Sequence, residues 1–135
     1  MKHETRVDVR TLQTKEALRT ALKEMILEMD CQKITIKELT KRAGLHRKTF
    51  YLHYESIDAL FDDLAENIAL QVNDMVDRTF IHDEKVDLHS LLTEFGILLV
   101  QNDPELHKKL FCSSSYYFVF NKIQDLATER LFQRI

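Results

Sequence analysis

Only two glycines, Gly44 and Gly96, and one proline, Pro104, interrupt a chain of 135 residues. Turns and loops draw heavily on those two residue types, so a chain this poor in them must be regular structure with short connections. Periodicity decides which kind. Leu18, Ala21, Leu22, Met25, Ile26 and Met29 recur at intervals of three and four, predicting an amphipathic helix over 12–29 with one buried stripe. The segment DCQK then turns the chain. Thr35 can cap a second, short helix, with Glu38 three residues on completing a capping box. Leu39 and Ala43 give that helix an inward face, and Gly44 ends it in a left-handed conformation. A third short helix starts at about His46 with Phe50 pointing inward. Ser56 caps a fourth, with Asp58 in its first turn.

The fourth helix is predicted to be long. Ile57, Leu60, Phe61, Leu64, Ile68, Val72, Met75, Val76 and Phe80 keep helical spacing without a breaker, which implies a rod of roughly 35–40 Å. Asp87 is expected to begin a fifth helix through Leu91, Leu92, Phe95, Leu98 and Leu99. Asp103-Pro104 reads as a cap followed by proline at the first helical position of a sixth. Ser113–Ser115 separates that helix from a last segment, Tyr116–Ile135. Its opening YYFVF has strand-like composition, but Ile123, Leu126, Ala127 and Leu131 continue at helical intervals, so a helix is expected. The fold class is all-α.

The length suits one domain, or one small module fused to a larger one, with a core that needs neither disulfide nor metal. Cys31 and Cys112 lie far apart without metal-ligand spacing, which favours two free thiols in a reducing compartment. The polar start MKHETRVDVR lacks an apolar signal core, and the longest apolar runs, YYFVF and ILLV, are too short to cross a bilayer. A cytoplasmic protein with no membrane partner is expected.

Net charge is only −3, but it is unevenly spread. Residues 33–54 carry six basic groups (Lys33, Lys37, Lys41, Arg42, Arg47 and Lys48) against Glu38 alone, a local +5, whereas 55–135 carry a net −8. Such an island is either a solvated surface or a small face that meets phosphate. Two short helices joined by a glycine turn and packed on a preceding helix form a helix-turn-helix, whose second helix offers its first residues to base edges in the major groove. Here that helix opens with His46, Arg47, Lys48 and Thr49. Arginine can grip guanine, lysine can do so or reach phosphate, and the threonine methyl can meet thymine. Tyr51, one turn on, can offer its hydroxyl to phosphate.

The stretch ITIKELTKRAGLHRKTFYLHYESIDALF resembles the DNA-binding domain of the TetR family of transcriptional regulators. The resemblance covers about residues 10–61. It rests on Ile34-Thr35-Ile36, the Ala43-Gly44-Leu45 turn, Thr49-Phe50-Tyr51 with His53-Tyr54, and Leu60 four residues after Ser56. It implies DNA contacts at Thr35, Lys37, Arg47, Lys48, Thr49, Tyr51 and His53, with Lys37 as the residue of the second helix that reaches the groove. His46 joins them by its place at the start of the third helix. The chain departs from the family at Asp30, where a glycine is usual, at Cys31 in place of an aromatic, and at Thr40 in place of alanine. Ile57 stands where a phosphate-binding lysine is common, and Lys48 is then the candidate substitute.

The resemblance further implies two parts: a helix-turn-helix domain over 1–54 and a helical ligand-binding and dimerisation region over 55–135. The function implied is a repressor that binds operator DNA as a homodimer and is released by a small-molecule effector. The aromatic-rich second half is either plain helical core or the wall of an apolar pocket. The resemblance favours the pocket, with Phe95, Leu99, Phe111, Tyr117 and Phe118 as candidate lining residues. The chain stops at FQRI with helical periodicity still running, so a longer natural protein is expected. A rival reading is a helical protein-interaction module with a degenerate helix-turn-helix. A third is an enzyme using Cys112 with His107, whose spacing matches no nucleophile motif. The six histidines show no helical pairing suited to metal, and no cofactor is expected.

Overall fold

A computed structural model describes residues 2–82, 88–101 and 103–134. The fold is all-α. Among the described residues the helices are α1 (Lys2–Glu28), α2 (Ile36–Ala43), α3 (Arg47–His53), α4 (Ile57–His82), α5 (Leu88–Gln101), α6 (Pro104–Cys112) and α7 (Tyr117–Arg134). Single 3-10 turns at Cys31–Lys33 and Ser114–Tyr116 complete the list, and no strand occurs among these residues. The chain divides into two compact units, Met1–Leu60 and Phe61–Ile135, with the division inside the first turn of α4.

In the first unit the predicted stripe of α1 is buried: Leu18, Leu22, Met25 and Ile26 are fully enclosed, and Ala21 nearly so. The helix itself starts ten residues before the expected position 12. No apolar period in the sequence marks that extension, and Val9 within it is exposed. Once a helix is nucleated by packing, each added residue costs little, so it continues into a polar, breaker-free segment. At its other end Asp30 has φ −75° and ψ 154°, an extended conformation. The chain thus leaves α1 without a left-handed residue, and no glycine is needed at that position.

α1 packs on α2, and α2 on α3. Thr35 Oγ1 accepts the backbone N–H of Glu38 at 3.2 Å, while the carboxylate of Glu38 accepts from Arg42 Nε at 3.3 Å. Thr40 is buried with its hydroxyl donating back to the Ile36 carbonyl at 2.8 Å. That bond satisfies a polar group which would otherwise be costly to bury. Gly44 closes α2 at φ 69°, ψ 32°. Its N–H meets the Lys41 carbonyl at 3.2 Å and the Leu45 N–H meets the Thr40 carbonyl at 2.9 Å, the two bonds of a Schellman cap.

A Cβ on Gly44 would touch nothing within 4 Å, so the demand for glycine is conformational alone. Gly44→Ala is expected to destabilise the chain by about 1–2 kcal/mol in a urea titration, and Gly44→Asn to recover part of that loss. Equal stability of all three would contradict the left-handed cap.

In the second unit α4 buries Phe61, Leu64, Ala65, Ile68, Ala69, Met75 and Val76 along one face. At ~1.5 Å per residue its 26 residues span about 39 Å, as the spacing predicts. Phe61 packs on Tyr116 and Phe118, with ring centroids 6.1 and 5.2 Å apart. α5 packs on α6 and α6 on α7, contributing Leu106, Leu110, Val119 and Ile123 to the buried set. Asp103 precedes α6 differently from expectation. It is left-handed at φ 50°, and its side chain makes no cap. Its carbonyl instead accepts the His107 backbone N–H at 3.1 Å and the ring Nδ1–H at 3.0 Å. The expected start of α5 at Asp87 lies outside the described residues, as do the end at Ile135 and the side chains of Phe80, Leu91 and Leu131.

Candidate nucleic-acid interface

α3 is held by one side. Phe50 is 0% exposed and meets Tyr51 edge-on at 5.4 Å and Tyr54 at 5.8 Å. Tyr54 is itself buried, with Lys15 of α1 stacked over its ring at 5.8 Å. With Phe50 fixing the inward direction and ~100° between residues, the rest of α3 falls into place. Lys48 and Leu52 lie about 160° from Phe50, on the outermost ridge. Arg47 and Tyr51 lie on one flank, Thr49 and His53 on the other.

The burial pattern agrees. His46, Arg47, Lys48 and Tyr51 are exposed, and Thr49 and His53 are half-buried. His46 is the N-cap residue of α3 and uses its carbonyl, not its ring: it accepts from the Thr49 and Phe50 N–H groups at 3.0 and 3.3 Å. Its imidazole is thus left outward. On α2, Thr35 and Lys37 are exposed. Thr35 accepts a bond at its oxygen and still has its hydroxyl proton to donate.

The basic island is smaller than its sequence count. Arg42 is spent within the unit, paired with Glu28 of α1 and with Glu38 one turn back. Lys37, Lys41, Arg47 and Lys48 have no carboxylate partner among the described residues. Ile57, the first residue of α4, is half-buried and carries no charge to offer. Ser56 caps that helix, its Oγ accepting the Ala59 N–H at 3.2 Å. Leu52, to which the sequence pattern assigns no role, is 79% exposed. Its place two residues from Phe50 is the signal that marks it as outward.

The Arg42 pair has a pH signature. Its hydrogen bond and charge hold the Glu28 carboxyl below the ordinary carboxylate range. A group with a lowered folded pKa stabilises the fold above its unfolded value and stops doing so as pH falls through the folded one. Thermal unfolding should show wild type above Glu28→Gln at neutral pH, with the gap closing as pH drops below about 4.5. Both side chains are solvent-screened, so the gap is small and shrinks with salt. A gap that persists at acid pH would contradict the pairing.

Of the candidate pocket residues in the second unit, Phe95, Leu99 and Phe111 are half-buried, while Tyr117 and Phe118 are 55% and 42% exposed. Phe111 and Tyr117 both meet Phe120, at 5.3 and 5.9 Å, and Phe118 meets Phe61. Two buried polar atoms of this unit have no partner among the described residues: Asn73 Nδ2, a donor, and His107 Nε2. His107 Nδ1–H is given to the Asp103 carbonyl, which leaves Nε2 as the ring nitrogen without a partner. The structure does not assemble His107 with Cys112. Five residues apart on α6, they point about 140° from one another, the histidine buried and the cysteine exposed.

Cys31 is half-buried, and its thiol is pushed up by desolvation and by the nearby Asp58 charge, which makes it a poorer nucleophile. No cluster of three or more metal-binding side chains occurs among the described residues. No described helix is long and apolar enough to cross a membrane.

No family model matches the chain. Over 72 residues it is 31% identical to a protein of Bacillus subtilis (strain 168) described as an uncharacterized HTH-type transcriptional regulator, YxbF. The match takes in 53% of this chain and 19% of that protein, so the chain spans about a fifth of the length of the curated relative it matches.

Proposed function

We propose that this chain is a DNA-binding transcriptional regulator of the helix-turn-helix kind, and more narrowly a TetR-like repressor. One observation carries the reading. Phe50 and the Gly44 cap hold α3 so that His46, Arg47, Lys48 and Tyr51 are all exposed, as is Lys37 on α2, and among the described residues no carboxylate pairs with these cations. The similarity to an HTH-type transcriptional regulator of Bacillus subtilis and the resemblance of residues 10–61 to the TetR family support it.

In this reading Arg47 contacts a base edge and Lys48 and Tyr51 take phosphates, with Lys48 replacing the charge that Ile57 lacks. Thr35, Lys37, Thr49 and His53 complete the surface. A homodimer would set two α3 helices into successive major grooves, about 34–36 Å apart on one face of the duplex. A small-molecule effector held among α4–α7 would release DNA by favouring a different spacing, which requires unequal affinity for the two states.

A gel-shift titration on random-sequence duplex at low and moderate salt tests the DNA reading. Retarded complexes that weaken as salt rises are expected. No complex at low salt would leave the helical protein-interaction module in its place.

A further inference from the structure

We propose that Leu52 reads a thymine methyl group, as a specificity-determining residue of the α3 surface. The inference rests on the DNA-binding reading above and adds a base-level requirement to it. Among the described residues Leu52 is the most exposed large apolar side chain. It shares the outermost ridge of α3 with Lys48, one turn before it, and is bordered by exposed Tyr51. Nothing in the fold asks for leucine there. Alanine has at least equal helix propensity, and a side chain this exposed buries little within its own unit.

On a surface that meets duplex DNA, an isobutyl group has two kinds of neighbour. Against phosphate it would displace hydration and return no hydrogen bond. Lys48 can swing a charged head to the groove wall on its four-carbon stem, but Leu52 has neither the reach nor the charge. In the major groove the one apolar feature on a base edge is the C5 methyl of thymine. Burying that methyl against Leu52 removes both apolar groups from water, and no other base offers the same gain.

Duplexes recovered by selection from a random library with the full chain supply the probe. Each thymine is then replaced singly by deoxyuridine, which deletes only the methyl. For wild type, one position per half-site should lose about fourfold in affinity, equivalent to ~0.8 kcal/mol. Leu52→Ala should bind the thymine and uracil forms equally, at the affinity wild type shows for uracil. Leu52→Met should keep the preference. Unchanged thermal unfolding of Leu52→Ala confirms an intact fold. The inference is overturned if every thymine tolerates the change in wild type, or if Leu52→Ala keeps the same penalty at the same position. A selection that recovers no duplex at all removes the DNA-binding reading itself, and this inference with it.

Discussion

Replacing Phe50 with alanine will cost the chain about 3–5 kcal/mol of stability and, through that, its ordered α3. The ring is fully enclosed and makes contacts with Tyr51 and Tyr54, so truncation removes a large apolar area and leaves a cavity. The unit concerned has 60 residues, and a domain of that size has a total stability of roughly 3–9 kcal/mol. The loss is therefore a large fraction of the whole. Denaturant unfolding followed by circular dichroism should show either a much lower midpoint or no folded baseline for this unit. Leu52→Ala, two residues away, should shift stability by less than about 0.5 kcal/mol. The contrast matters more than either number, because both residues are apolar and lie two positions apart on one short helix. Similar costs for the two would mean that α3 is not oriented by Phe50.

Arg47→Ala should weaken binding to a preferred duplex by roughly 1–3 kcal/mol, a factor of about 5–150, and relax discrimination at one base pair. Lys48→Ala should act differently, weakening all sequences about equally and reducing the log-salt slope by ~1 per half-site. The distinction follows from what each side chain can do. A guanidinium has a planar fork that matches the two acceptors on guanine, whereas an ammonium is a mobile point charge. Equal losses on preferred and scrambled DNA for Arg47→Ala would remove its base-reading role. If neither substitution alters DNA binding, the basic island is only a solvated surface.

Much of this arrangement is legible in the sequence because its causes are local. Thr35, Gly44 and Ser56 act on backbone groups within three or four residues, so their roles can be read from spacing. Phe50 and the α4 stripe follow from helical period. What escapes the sequence is what tertiary packing decides. Arg42 counts as a free cation until α1 brings Glu28, fourteen residues away, to its guanidinium. Asp30 stands where the TetR resemblance leads one to expect glycine, but the chain takes an extended exit there. The first turns of α1 carry no apolar period to announce them. Asp103-Pro104 predicts a helix start in the right place, but a left-handed backbone and a carbonyl contact to His107 replace the expected side-chain cap. The second unit was the least legible. Aromatic spacing cannot say which rings face inward, and Tyr117 and Phe118 prove more exposed than their neighbours Tyr116 and Val119.

The central claim, that the α2–α3 surface binds DNA and reads its sequence, is tested most directly by affinity as a function of salt on two duplexes. One is selected from a random library; the other is a scramble of the same composition. Binding to both should weaken linearly on a log–log plot as salt rises, since each phosphate contact releases counterions. The selected duplex should bind tighter throughout, by roughly 10³. Identical affinities for the two duplexes, or no binding to either at low salt, would contradict the account.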